Sequence, residues 1–324
     1  MNPNWKHFLT TENAAFPSDT DIVFPSLSAE NDKRIYPIAH LAVLTVGGKD
    51  AAKLLQGQIT CNVNDISETK SSLGAMCNPK GRAIATFLLI KTADAFLLVL
   101  PVELLETVKK RLQMYILRSD VQITDSSDEL CLIGLSHQQA AEELFATSLG
   151  ETIAVSFSRR DLVIAKPEQA IALWSDKVAN QGFQPDHSAQ WRYLDIISGI
   201  PWLTSPTSEQ FIPQMLNLDK LGGISFNKGC YTGQEIVART HYLGKAKRAM
   251  FLAESAIDIA PAPDSIILDD NADSEQGAGR VLLAQARQQH CKMLVVIQLS
   301  DTNTYNLRLN DQYQTPVNLL PFNS

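Results

Sequence analysis

The sequence is short of the features that mark several functional classes. Its 324 residues include only five cysteines, Cys61, Cys77, Cys131, Cys230 and Cys291, an odd number at wide spacings with no C-x-x-C pair. A disulfide framework or a zinc site is therefore not expected, and a reducing, cytoplasmic location is. The six histidines form no H-x-x-x-H or comparable pair, so no metal centre is expected. Basic charge is not in excess: the formal net charge of −7 argues against a constitutive nucleic-acid binder and against direct DNA binding. No apolar run is long enough to span a membrane, because "IATFLLIKTADAFLLVLPV" is broken by Lys91, Thr92 and Asp94. The amino-terminal "MNPNWKHFLTTENAAF" lacks the charged-then-apolar layout of a signal peptide. What remains is ordinary globular composition, 45% hydrophobic and 19% charged, long enough for two domains or one large one with an appendage.

Residues 1–34, with Pro17 and Pro25, read as an irregular lead-in. Periodicity then predicts a strand at 41–46, a short helix stopped near Gly57, and a mostly irregular segment over 58–82. "AIATFLLIK" and "AFLLVLP" read as a hairpin. Pro101 opens a helix whose Leu105, Val108, Leu112, Tyr115 and Ile116 fall at helical spacing, and "VQIT" follows as a strand. That is the β-α-β-β-α-β order of a ferredoxin-like unit. A second pass follows: the strand "LCLIGL", a helix over 138–149 ended by Gly150, the hairpin "TIAVSF" and "DLVIA", and the helix "PEQAIALWSDKVANQG". After the further helix "SAQWRYLDIIS", the character changes to five short strand-type segments separated by Pro, Gly and Asp/Asn clusters. The expected fold is α+β, with subdomains at about 35–128 and 129–244 and a small antiparallel β-barrel over 245–324.

The stretch that carries most chemistry is "KGCYTGQE", residues 228–235. Thr232 and Glu235 match the T-x-x-E capping box, in which each side chain bonds the other residue's amide. Gly229 and Gly233 leave the backbone open to whatever approaches. Cys230 would then sit two residues before a helix cap, near the positive end of the dipole and beside Lys228, with Arg239 and His241 following. Those neighbours favour a thiolate, the reactive form. The alternative is a glycine-rich turn with Cys230 as a small apolar filler. No acid–base pair at a recognisable spacing makes a nucleophilic triad.

Other candidates are less specific. Trp191 could stack on a flat heterocycle, although on the residues alone a core position on an amphipathic helix is better supported. Asp195, four residues on, could accept from a heterocycle N–H or be a solvated carboxylate. "NPKGRA" (78–83) reads as a turn, with an anion-contacting loop as the alternative; one glycine makes no Walker motif. "HYLGKAKR" (241–248) is a basic cluster, either a solvated linker or a contact for a polyanion.

"FIPQMLNLDKLGGISFNKGCYTGQEIVAR" (211–239) resembles the signature of the YgfZ family of folate-binding proteins, relatives of the aminomethyltransferase (T-protein) of the glycine cleavage system. "LTVGGKDAAKLLQGQIT" (44–60), "NPKGR" and "QWRYLDIISGIP" (190–201) extend the resemblance over most of the chain. It implies two intertwined ferredoxin-like subdomains around a folate cleft, followed by the barrel. It implies tetrahydrofolate or a derivative as cofactor and a part in assembling or repairing iron–sulfur clusters in client enzymes, among them a tRNA-methylthiolating enzyme. By position it makes Cys230 the essential thiol, with Lys228, Tyr231, Gln234, Glu235 and Arg239 its motif neighbours, and it places Trp191 at the folate site. Whether Cys230 holds a one-carbon adduct, a sulfur-linked species or a transient cluster is left open.

The same comparison shows departures. Leu41 stands where the family has a second tryptophan, and Ile197 where T-protein relatives hold the pterin with a carboxylate. Ala85 or Thr86 stands where aminomethyltransferases carry a catalytic aspartate, and T-proteins lack the cysteine signature. A folate-dependent accessory protein rather than a classical enzyme is therefore expected, with a tetrahydrofolate-dependent one-carbon transferase as the alternative.

Overall fold

The computed structural model describes residues 1–25, 33–244, 246–271, 277–299 and 304–322. The chain divides into two compact units. The first comprises Met1–Gln56, Asn62–Ser72 and Phe87–Trp191, and the second Gly57–Cys61, Leu73–Thr86 and Arg192–Ser324. These limits differ from the expected boundaries near 128 and 244, because the barrel shares a unit with 192–244 and with two short earlier segments.

The first unit carries a six-stranded sheet, in the order Gln184–Pro185, Arg34–Ile38, Cys131–Ser136, Arg160–Ala165, Ile153–Ser156 and Thr147–Leu149. Strand Arg34–Ile38 runs antiparallel to Cys131–Ser136, with Ile35 opposite Leu135. A second sheet pairs Leu41–Gly47 with both Ala95–Pro101 and Gln122–Asp125. The predicted helix after Pro101 runs over Val102–Gln113 and buries Leu105, Val108 and Leu112; it ends before Tyr115, which is exposed. Helix Pro167–Ala179 buries Trp174, whose ring meets Trp5 edge-on at 5.6 Å and stacks on Phe24 at 5.9 Å.

Three expectations are corrected here. The lead-in is not irregular throughout, since Pro3–Thr11 is a helix, with Asn2 Oδ1 accepting the amides of Asn4 and Trp5; residues 26–32 lie outside the described chain. The Asn2-Pro3 pair is itself a start signal, a polar cap followed by proline in the first turn. The helix expected over 138–149 is absent. Ala141 N instead donates to Ser158 O, Phe145 N to Ser156 O and Ser156 N to Ala146 O, so the backbone pairs across the hairpin. Phe145 adopts φ 61° and buries its ring edge-on against Phe157 at 5.3 Å, a tertiary contact that overrides local helix propensity. The segment 58–82 also contains a strand, Ser72–Cys77.

The second unit is built on a closed barrel in the order Arg248–Ser255, His290–Gln298, Gly279–Arg287, Ile266–Asp269, Leu307–Leu309 and Pro316–Leu320. The last strand had no counterpart among the five predicted. Ile267, Val281, Met293, Val295 and Ile297 fill the barrel interior. Among the described residues no helix is long and apolar enough to cross a membrane.

Gly134, in the first unit, lies directly beneath Trp191: a Cβ there would overlap the indole carbon Cε3. Gly134→Ala should therefore lower stability by about 1–3 kcal/mol and shift tryptophan emission. Gly150→Ala, whose Cβ would meet only Thr152 O at 3.9 Å, should stay within about 0.5 kcal/mol. Urea denaturation of both variants checks this, and equal midpoints would refute the close-packing argument.

Candidate functional site around the 228–235 loop

The loop is anchored by the segment 59–61, where Ile59 makes an isolated antiparallel bridge with Met76 and Thr60 and Cys61 form a bend. The Thr60 amide donates to Ala75 O at 2.9 Å and its carbonyl accepts Ser225 N at 2.9 Å. Its fully buried hydroxyl donates to Gly223 O at 2.6 Å and accepts Ala75 N at 2.9 Å. Lys228 Nζ donates to Ile59 O at 2.7 Å and to Cys61 O at 2.8 Å. The ammonium thus supplies donors to the two carbonyls that flank Thr60.

Burial lowers the Lys228 pKa from 10.5 to about 8, with the Cys61 thiol pulling weakly the other way. Nζ also lies 5.2 Å from the centroid of the Tyr231 ring. Tyr231 is buried, and that burial raises its phenol well above the ordinary value.

The capping box does not form. Helix Gln234–Tyr242 has Gly233 as its N-cap at φ 83°, with no side-chain cap bond. The Thr232 hydroxyl donates instead to Gln58 Oε1 at 3.2 Å, and Glu235 pairs with exposed Arg239 at 3.1 Å. The cause is the turn at 78–82. Gly81 N donates to Asn78 O at 2.9 Å, and Asn78 Oδ1 accepts the amides of Lys80 and Arg82 at 2.9 and 3.1 Å. A Cβ on Gly233 would overlap Asn78 O, and one on Gly81 would lie 2.7 Å from Ile236 Cβ. Both glycines therefore permit backbone-to-backbone contact, so Gly233 is closed to an approaching group. Gly229 is exposed and has nothing within 4 Å of where a Cβ would stand. "NPKGR" is a turn.

Cys230 is exposed, three residues before the actual cap, whereas the other four cysteines are buried. Burial pushes the thiols of Cys77 and Cys131 up to about 12 and that of Cys291 up to about 11. Gln234 opens the helix. Toward its end Phe226 stacks on His241 at 3.7 Å and 12°, with Tyr242 edge-on to His241 at 4.7 Å. Nothing in the spacing of residues 226 and 241 signals that pair. Of the basic cluster, Lys245 lies outside the described residues.

The remaining candidates are placed differently from expectation. Asp195 is buried and its Oδ2 accepts Trp202 Nε1 at 2.8 Å, so it is not a solvated carboxylate. Ile197 ends the helix Ser188–Ile197. Ala85 is fully buried, and the Thr86 hydroxyl donates to Pro201 O at 2.7 Å while accepting Leu203 N at 3.0 Å.

In the first unit, Trp191 is 1% exposed. Gly134 covers one side of it, the Arg160 guanidinium carbon lies 4.5 Å from its ring centroid, and Tyr36 packs at 5.7 Å. Leu41 is buried in the wall of a separate cavity of about 420 Å³, shared with Trp5, Lys6, Val102 and Cys131; Trp191 does not line it. Among the described residues no group of three His, Cys, Asp or Glu side chains could hold a metal ion.

Residues 28–156 match the GCVT N-terminal domain family. The chain is 32% identical over 308 residues to the tRNA-modifying protein YgfZ of Colwellia psychrerythraea, covering 90% of this chain and 94% of that protein. It is 34% identical over 275 residues to the protein of the same description from Cronobacter sakazakii, covering 80% and 83%. Its fold resembles the glycine cleavage system aminomethyltransferase T from Bartonella henselae, with a TM-score of 0.71 at 13% identity over 90% of this chain and 86% of that one.

Lys228→Met should leave Ile59 O and Cys61 O without their donor and lower stability at pH 7 by about 1–3 kcal/mol. The folded amine loses its proton near 8 and the unfolded amine near 10.5, so the unfolded state binds more protons between those values. The wild type should therefore gain stability relative to Lys228→Met as pH rises through that window. Denaturation at pH 7 and pH 10 measures it; a constant difference would refute the lowered amine.

Proposed function

The chain belongs to the YgfZ family, and on that premise we propose that it is a tetrahydrofolate-binding accessory protein, with Cys230 as its working thiol. It supports iron–sulfur clusters in client enzymes, including one that methylthiolates tRNA. The observation that carries the reading is the state of the signature loop. Lys228 is committed to the 59–61 backbone, Tyr231 is buried, Thr232 is bonded to Gln58, and Gly233 is pressed onto Asn78. The Cys230 thiol is the nucleophilic group that the loop leaves exposed to another molecule, beside exposed Gly229 and an exposed Glu235 paired with Arg239. The match to the GCVT N-terminal domain and the relatives' description as tRNA-modifying proteins support this reading.

Iron–sulfur clusters usually take four protein ligands, and the other four cysteines of this chain are buried. Cys230 therefore works through a transient adduct, or as one ligand of a cluster shared with the client. Folate that stacks on Trp191 does so by displacing Arg160 from the indole face. Asp195 has no part in the reading, because it already accepts from Trp202. One-carbon transfer is the weaker alternative: Ala85 is buried and the Thr86 hydroxyl is used in two bonds.

Cys230→Ala should fold normally, within about 0.5 kcal/mol of wild type, since the side chain is exposed. In cells relying on this protein, the variant should lower the methylthiolated nucleoside in tRNA to the level of the deletion; wild-type levels would end the thiol assignment. Titration with tetrahydrofolate should quench tryptophan emission saturably, and Trp191→Phe should lose most of the response. A wild type with no saturable response would remove folate from the proposal.

A further inference from the structure

A cavity of about 380 Å³ in the second unit is lined by Gln210, Phe211, Arg248, Gly277, Gly279 and Arg280, mostly through polar atoms. Its guanidinium groups come from different elements. Arg248 opens the first barrel strand and Arg280 lies at the start of the third segment of the closed sheet, Gly279–Arg287. A third guanidinium, from the 78–82 turn, reaches the same rim, where Arg82 Nη1 donates to Gln210 O.

The charges do not cancel. Arg280 is paired with Asp264 at 3.5 Å and also donates to the Asp264 carbonyl. Glu209, beside Gln210, accepts from Asn78 Nδ2 at 2.8 Å. The half-buried guanidinium of Arg248 makes no hydrogen bond or ion pair with a described residue. A guanidinium stays charged at every physiological pH, and partial burial without a partner is unfavourable. The arrangement becomes favourable when an anion enters.

We propose that this cavity is a phosphate-binding site, filled by a backbone phosphate of single-stranded RNA or by free phosphate. Two guanidinium groups from different strands in one cavity supply several N–H donors to a tetrahedral group of oxygens, and guanidinium is the side chain that bonds phosphate in bidentate fashion. The site needs no basic chain. Among the described residues, Arg248 and Arg280 in the lining and Arg82 bonded to Gln210 stand against Asp264 and Glu209, an excess of one positive charge on a protein of net charge −7.

The test measures binding of a fluorescent oligouridine by anisotropy, alone and in competition with inorganic phosphate. Three single variants are compared with wild type. Arg248→Gln removes an uncommitted cation and should weaken binding about tenfold or more. Arg82→Gln, at the rim, should weaken it less. Lys220→Gln removes an exposed charge that does not line the cavity and should change it by less than about twofold. With Arg248→Gln the salt dependence should also flatten by about one phosphate contact.

Competition by inorganic phosphate would show that a free phosphate suffices. Oligouridine binding without such competition would assign the site to the RNA backbone. Absence of oligouridine binding by anisotropy together with no heat of binding for inorganic phosphate in calorimetry, or equal effects of Arg248→Gln and Lys220→Gln, would overturn the proposal. Folate titration of Arg248→Gln should match wild type, which separates this site from the folate reading.

Discussion

The signature loop depends on one ammonium group held between two main-chain carbonyls. Lys228 Nζ bonds Ile59 O and Cys61 O, while Thr60 between them is fixed by Ala75, Gly223 and Ser225. Residues separated by about 170 positions in sequence are thereby fixed to one short segment. Without the lysine both carbonyls lose this donor, at a cost of about 1–3 kcal/mol. The residues after Lys228 inherit their positions from it: Tyr231 packs beneath the ammonium, and Cys230 between them faces outward.

The second constraint is a contact of two backbones. Gly233 and Gly81 each take positive φ where the 78–82 turn meets the start of helix Gln234–Tyr242, and side chains on both would overlap the other element. This accounts for Gly233, whose backbone reads in the sequence as open to an approaching group; Gly229 has no such contact. The contact also moves the helix start by one residue, which releases Thr232 and Glu235 from the capping role their spacing suggested. Much of the signature is architecture, with the side chains of Cys230 and Glu235 left exposed.

Much of this was legible in the sequence, and the rest was hidden for identifiable reasons. Strands such as Ala83–Lys91 and Ala95–Pro101, and helices such as Pro167–Ala179, carry strong local periodicity with proline and turn residues at their ends. The barrel segments announced themselves by alternation and by their Gly and Asp/Asn breaks. The absent helix over 138–149 was unreadable because Phe145 is decided by Phe157 and by cross-strand bonds, which no local window contains. The capping box failed likewise, because its competitor is Asn78, far away in sequence. Asp195 resembled a ligand group because its actual partner, Trp202, lies beyond the Gly-Ile-Pro break that ends its helix. Cys230 is the one exposed cysteine of the five; that the neighbouring Lys228 turns away to the 59–61 carbonyls was hidden, since adjacency in sequence does not reveal where the lysine points.

The packing around Trp191 has a thermodynamic corollary. Arg160 lies over the indole with a flat, N–H-rich, cationic group, and that group resembles the aminopyrimidine end of a pterin in shape and donor pattern. The protein alone thus already holds an internal competitor on that face. A heterocycle arriving there exchanges one stacked plane for another, so the net affinity is the difference between two comparable contacts.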